Sequence, residues 1–319
     1  MSRAKIKFVG IGAGNNINNE IKKSLDNNTL IDAEITYTHI DTSTKDTHEG
    51  IPTLIVGEGN GSGGKKTTNY DASVRQKAQI MQQFEDNDTL YVFITGTNGG
   101  TSIVLLSILA DLTDKHFIIL AAEDNSNRTY LKATKGFYQT VNGYAAKNRS
   151  VAIFNIENGA STFEQANKEF VAFTQGLVMF FNDDNKSLDA TDMRYFLTPD
   201  EHLEEDYHGQ AYKISLVGLA EDDNDIFTDS EVVGSRELVT DGDFTGQKTE
   251  LPDGFMSKQG ATAYPIAEYE DTHKLVLTLE LNYFTRRVVS LNERWEAAAP
   301  KTKVIKVDIP SGDDFIILD

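Results

Sequence analysis

Three glycine-rich stretches hold the chemistry most readily read from this chain of 319 residues. Residues 10–16, 57–65 and 96–102 each follow a short apolar run of strand length. Glycine lets backbone N–H groups approach phosphate oxygens, and a helix that begins just beyond adds a favourable dipole. One such loop could be a tight turn, whereas three on one sheet edge favour a nucleotide. A second set of polar residues brackets a later apolar stretch, with Asn155 and Asn167 near its start and Asp189 and Asp192 past its end. The two aspartates are three apart and share a face if their loop runs on into a helix. Acidic residues at a helix start are also favoured by the dipole alone.

Two familiar motifs nearly fit. Residues 59–66 read G-N-G-S-G-G-K-K, one hydroxyl short of a P-loop, because Lys66 stands where Ser or Thr would bind magnesium. Residues 10–15 read G-I-G-A-G-N, with Asn15 replacing the third glycine of a dinucleotide fingerprint. Asp32 and Glu34 nonetheless lie about 20 residues on, where a ribose-binding acid would stand. The six histidines show no ligand spacing, and no Ser-His-Asp arrangement is apparent. The absence of cysteine excludes disulfides and thiolate metal sites, which suits a reducing cytosol.

These residues need elements to position them. Strand-like runs at 5–9, 33–40, 53–56, 90–94, 117–121 and 150–156 alternate with helical patterns at 15–25, 70–84, 103–112 and 130–144. That alternation implies a mainly parallel sheet covered by helices on both faces, and ligands of such sheets sit at the carboxyl ends of the strands. Over 161–181, Phe163, Ala166, Phe170, Phe173, Leu177 and Phe180 recur at steps of three and four. Ser161 with Glu164 forms a capping-box start, while Val171, Val178, Met179 and Phe181 lie off the stripe, so this helix is expected to be buried on most sides. About 20 residues of helix span about 30 Å. Its polar ends therefore cannot serve one small site within one molecule. Either they do separate jobs, or a second copy brings one end to the other.

Beyond residue 192 the texture changes. A short apolar stretch (193–197) leads to an acidic loop (201–206), then a strand at 212–219, and a loop into a short helix over 222–231. A loop or hairpin follows at 241–254, a strand at 274–281 and a helix carrying Phe284, Val288, Leu291 and Trp295 before Pro300. This reads as a smaller α/β unit with its own small sheet, joined to the first by the long helix. The formal net charge of −19 argues against non-specific nucleic-acid binding, and no apolar run reaches the ~18 residues of a membrane span. The N-terminus also lacks a secretory apolar region before strand-like sequence begins.

In this order, several segments resemble the tubulin/FtsZ family, and more closely the tubulin-like proteins of phages and plasmids. G-N-N-I-N-N-E-I (14–21) and G-S-G-G-K (61–65) resemble its first two nucleotide loops. G-T-N-G-G-T-S (96–102) stands for the signature G-G-G-T-G-[ST]-G, keeping Gly96, Gly100 and Thr101 but departing at Thr97, Asn98, Gly99 and Ser102. I-F-N (153–155) and T-F-E-Q-A-N-K (162–168) resemble the strand end and start of the central helix. L-D-A-T-D (188–192) resembles the synergy loop N-x-D-x-x-D. The likeness covers roughly residues 3–195 well and the remainder only by layout.

The resemblance implies an α/β, tubulin-like fold. A GTP-binding domain (1–160) is joined by a central helix (161–182) to a synergy loop and activation domain (183–299), followed by an acidic tail (300–319). It implies GTP or GDP with Mg2+ as cofactors. Gly12, Gly14, Asn15, Gly63, Gly64, Gly96, Gly99, Gly100 and Thr101 would surround the phosphates, and Asn155 and Asn167 would read the guanine. Phe163 would stack on the base, although its spacing also suits a core residue. Glu123 and Arg128 lie where the ribose loop would be, or form a surface ion pair. Asp189 and Asp192 would orient water at the γ-phosphate of the next subunit. The implied partner is the chain itself, in a head-to-tail homopolymer. Asp313, Asp314, Phe315 and Asp319 would anchor the tail on a neighbour, unless the tail is a frayed terminus. The setting implied is the cytoplasm of a bacterial host, with neither membrane nor direct nucleic-acid contact, and the role the positioning of phage or plasmid DNA. A monomeric P-loop-like or dinucleotide-binding enzyme, and a polymer without turnover, remain open as alternatives.

Overall fold

Ten strands pair into one sheet among the residues described by the computed structural model, which are 3–28, 31–45, 47–61, 66–157, 163–181, 190–219, 232–239, 257–259 and 274–299. They are β1 (Lys5–Ile11), β2 (Glu34–Asp41), β3 (Thr53–Ile55), β4 (Thr89–Gly96), β5 (His116–Glu123) and β6 (Val151–Glu157), then β7 (Ala211–Leu219), β8 (Val232–Val239), β9 (Ser257–Gln259) and β10 (Lys274–Glu280). Their order is β3-β2-β1-β4-β5-β6-β7-β10-β8-β9. Strands β1 to β6 are parallel, in register Lys5↔Glu34, Lys5↔Thr89, Leu90↔His116 and Ile118↔Ala152. The strand order reverses between β1 and β4, so their carboxyl ends form the crevice where open α/β sheets take ligands.

The helices are α1 (Gly14–Asp26), α2 (Lys66–Arg75), α3 (Lys77–Met81), α4 (Ile103–Ile108), α5 (Arg128–Ala145), α6 (Phe163–Met179), α7 (Ala190–Phe196) and α8 (Tyr283–Ala297). All eight residues of β4 are buried. Leu90, Val92 and Ile94 enter the layer shared with α1 and α6, and Tyr91 and Phe93 the opposite layer with α4, α5 and α8. A strand covered on both faces needs apolar side chains on both, hence a continuous run rather than an alternating one. Phe170, Phe173, Leu177 and Phe180 of the α6 stripe are buried as expected, and Phe173 stacks on Phe154 of β6 at 3.9 Å between centroids. Ser161 lies outside the described residues, and with it the expected capping box.

Three features differ from the sequence reading. The helix expected over 70–84 breaks at Gln76, whose φ of −100° and ψ of 13° leave helical geometry. Its amide is spent on the neighbouring loop, donating to the Ile55 carbonyl at 3.3 Å and accepting from Gly57 N–H at 2.5 Å. The helix expected over 103–112 ends at Ile108 and finishes as a 3-10 turn, Leu109–Asp111. The second unit does not build a separate sheet. Strand β7 pairs parallel with β6 from Val151↔Ala211 to Ile153↔Lys213, and β10 is antiparallel to both β7 and β8. Asp200 fixes this join, accepting from the Ser150 N–H at 2.6 Å and from Gly209 N–H at 3.3 Å. The expected elements at 222–231 and 241–254 lie outside the described residues.

Candidate functional site

The crevice at the β1/β4 switch holds two adjoining cavities of about 370 and 380 Å3 that share Ala13, Asn16 and Gly96 in their walls. The first is mainly apolar, walled by Ile17, Ile156, Ala166 and Phe170, with polar groups from Asn98, Asp124, Tyr130 and Asn167. The second is polar, walled by Gly12, Asp41, Thr42, Ser43, Gly61, Gly99, Gly100, Thr101 and Ser102. An apolar slot with amides beside a glycine- and hydroxyl-lined bowl matches a purine beside its phosphates.

The chain folds this way for local reasons. Gly12 turns from β1 into α1 with φ +57°, a left-handed conformation that side chains disfavour. A Cβ on Gly14 would lie 1.9 Å from the Ile94 carbonyl oxygen, so only glycine lets α1 start directly against β4. The cap position of α1 is Ala13, which offers no side-chain bond, and the first turn carries no acidic residue. The helix therefore opens on the shared wall without a side-chain cap, its Asn15 N–H donating to the Gly12 carbonyl at 2.9 Å, and with a positive dipole end. Across the bowl, Thr42 and Thr101 share a hydroxyl hydrogen bond of 2.9 Å, Ser102 Oγ donates to Gly99 O at 2.7 Å, and Asn69 Nδ2 to Gly100 O at 3.0 Å. These ties hold the 96–102 loop against β2 and α2.

Of the expected phosphate residues, Gly12, Gly96, Gly99, Gly100 and Thr101 come together around the polar cavity. Gly14 supports it by close packing rather than by lining it. Asn15 is fully buried and donates through Nδ2 to Asp41 at 2.6 Å, so its neighbour Asn16 is the asparagine that faces both cavities. Gly63, Gly64 and Asp189 lie outside the described residues, as do the Phe163 side chain and Asp313, Asp314, Phe315 and Asp319.

At the base end, Asn167 lines the apolar cavity, and Asn155 is not among its lining residues. Alternation along β6 explains this: Phe154 and Ile156 face α6, which turns Asn155 to the α8 side. There its Nδ2 donates to Glu123 Oε1 at 2.8 Å and to the Tyr283 hydroxyl at 3.3 Å. Glu123 stands in the cavity wall, but its side chain has no solvent exposure. Its oxygens take Tyr138 OH at 2.6 Å, Asn155, Asn125 Nδ2 at 2.9 Å and the Arg287 guanidinium. A carboxylate has about four acceptor positions, so none is left for a ribose. Burial and then the Glu123 charge push the Tyr138 hydroxyl well above its ordinary pKa, leaving it the donor of this pair. Arg128 is likewise turned from the cavity: its Nε donates to the Trp295 carbonyl at 3.2 Å and its guanidinium lies 4.1 Å over that indole. In this geometry Glu123 and Arg128 are engaged with the α5 and α8 side of the sheet and are not partners of each other.

The sequence reading missed Asn16, Asp41, Thr42 and Tyr130. Asp41 alone carried a signal, an acidic residue ending a strand on the ligand edge. It accepts Thr42 and Ser43 N–H groups at 2.6 and 3.0 Å. Among the described residues no cluster of three or more His, Cys, Asp or Glu could hold a metal unaided.

The other expected acid lies far from these cavities. Helix α6, 17 residues long, spans about 25 Å and leads away from Asn167. Asp192 sits half-buried in the first turn of α7, and its charge reaches the buried Arg236, whose guanidinium lies 4.6 Å over Phe196. Burial pulls the Arg236 pKa down to about 10 although Asp192 works against it.

No family model matches the sequence, and no curated protein matches it. Solved structures do. A protofilament of TubZ from bacteriophage PhiKZ superposes with TM-score 0.74 at 16% identity, covering 99% of this chain and 100% of that one. The phage tubulin PhuZ with GDP gives TM-score 0.74 at 13% identity over 99% and 100%. CetZ2 from Haloferax volcanii, a GTPγS-bound protofilament, gives 0.55 at 13% over 92% and 99%. The fold is that of the tubulin-like proteins of phages. No helix among the described residues is long and apolar enough to cross a membrane.

Proposed function

We propose that this chain is a filament-forming GTPase that hydrolyses GTP where two subunits meet head to tail, its filaments positioning phage or plasmid DNA in a bacterial host. The observation that carries the reading is the pair of adjoining cavities at the sheet's switch point, separated from Asp192 by the length of α6. A purine fits between Ile17, Phe170 and Asn167, and phosphates fit the α1 N-terminus and the 96–102 loop. Similar folds include a TubZ protofilament, a GTPγS-bound CetZ2 protofilament and a phage tubulin with GDP, which supports both the ligand and the self-association.

Phosphoryl transfer needs positioning and charge stabilisation more than covalent chemistry. In this reading the cavity residues hold the nucleotide, and Asp189 and Asp192 of the next subunit orient water towards the γ-phosphate. The acidic tail, residues 300–319, grips a neighbour along the filament. Mg2+ keeps several waters and takes one or two carboxylates plus phosphate oxygens. Asp41 with the Thr42 and Thr101 hydroxyls fits that modest donor set, and the bound ion would neutralise phosphate charge there. The test is Asp192→Ala. GTP binding is expected to stay within about twofold of wild type, because Asp192 lines neither cavity and its helix α7 sits at the amino-terminal edge of the sheet, where Arg194 donates to the Asp88 carbonyl at 2.7 Å, while turnover is lost and filaments persist. Normal hydrolysis by this variant would overturn the reading.

A further inference from the structure

The loop that closes the base end of the cavity is fastened from behind by α8, which is far from it in the sequence. Arg287 of α8 reaches Glu123 at the end of β5, a partner 164 residues away, and also Glu157 at the end of β6 at 2.7 Å. Arg294 takes the other oxygen of Glu157 at 2.5 Å, which Asn125 also approaches at 3.2 Å. At the far end of the loop, Arg128 is held on Trp295 through both its ring and its carbonyl. These ties bracket residues 123–128, and Glu123, Asp124 and Tyr130 from this stretch wall the cavity. The Glu123 side chain is fully buried against Arg287, and one guanidinium nitrogen of Arg287, Nη2, meets both Glu123 and Glu157, an arrangement that removal of the cation would leave uncompensated.

We infer that Arg287 is a positioning residue for the base end of the nucleotide site, setting the 123–128 loop from α8; this rests on the reading of the apolar cavity as a purine site. Occupancy of the cavity and the seating of α8 are thereby coupled, and the coupling is reciprocal. Trp295, the one tryptophan of the chain, lies at that contact and reports on it.

The experiment measures calorimetric binding of GTP and of inorganic tripolyphosphate, with Trp295 emission followed in parallel. It compares wild type, Arg287→Met, Arg287→Lys and the double variant Arg287→Met with Glu123→Gln. The double variant leaves no unpaired buried charge and so keeps the fold. Arg287→Met and the double variant are expected to bind GTP ~10-fold more weakly, with Arg287→Lys between them and wild type. Tripolyphosphate affinity stays within about twofold, since only the base end is disturbed. GTP changes Trp295 emission in wild type and not in the Arg287→Met variants. Wild-type GTP affinity in the double variant, or equal losses for GTP and tripolyphosphate, would overturn the inference. A wild-type protein that takes no GTP would overturn the reading of the cavity itself.

Discussion

Asn15 and Asn16 stand one position apart and serve opposite purposes. About 100° of helical rotation separates their side chains, sending the first inward to Asp41 and the second into the wall of both cavities. Asn16 also meets His48 Nε2 at 3.0 Å, and the His48 ring lies edge-on to His39 at 5.4 Å. His39 is fully buried with both ring nitrogens unpartnered among the described residues. Burial first, then His48, pulls its pKa down to about 4 from 6.5. The unfolded chain therefore binds this proton more readily, so stability is full above pH 6.5 and falls as the pH drops towards 4. Between pH 6.5 and 5 the loss from this group is expected to be about 2 kcal/mol, read as a fall in urea midpoint that is smaller in His39→Leu, where the half-buried His116 and His202 still contribute in the same direction. An equal decline in that variant would count against the assignment. Glycines and strand ends made the loops legible from the sequence. Which side chain of a turn faces the ligand was not, because a one-residue step reverses it, as Asn155 and Ile156 also illustrate.

Elements were more legible than their contacts. The apolar stripe of α6 needed only a spacing of three and four, and α8 could be read from Phe284, Val288, Leu291 and Trp295. That α8 holds the cavity loop could not be read, because Arg287 and Glu123 are joined only by the fold. Helix α1 shows the same limit from the other side. Its glycines suggested phosphate contact, whereas Gly14 chiefly lets the helix start against β4. Gly14→Ala is accordingly expected to push α1 off β4, costing about 1–3 kcal/mol through overpacking and weakening nucleotide binding with it. Thermal unfolding and a GTP titration check this; wild-type values for both would show that α1 has room to spare.

At the scale of the molecule, strand order rather than motif identity places the site. The order β3-β2-β1-β4-β5-β6 fixes the switch point, and the three glycine loops leave that edge wherever the structure describes them. The sequence reading found β1 to β7 and β10 and their alternation, missed β8 and β9, and expected two sheets. The pairing of β6 with β7 spans three residue pairs, too short to leave a periodic trace. Under the proposed function, the cavities beside the start of α6 and the acid on α7 beyond its end belong to two halves of one site, which a heterologous head-to-tail contact would complete and, where the rotation does not close, propagate as a filament. Turnover should therefore depend on encounters between subunits, not on single molecules. Phosphate release and light scattering, followed together over a range of protein concentrations with GTP and with ATP, test this most directly. Release per subunit is expected to rise with concentration, together with scattering, and to favour GTP. Release per subunit that stays constant across the range would contradict a site shared between subunits.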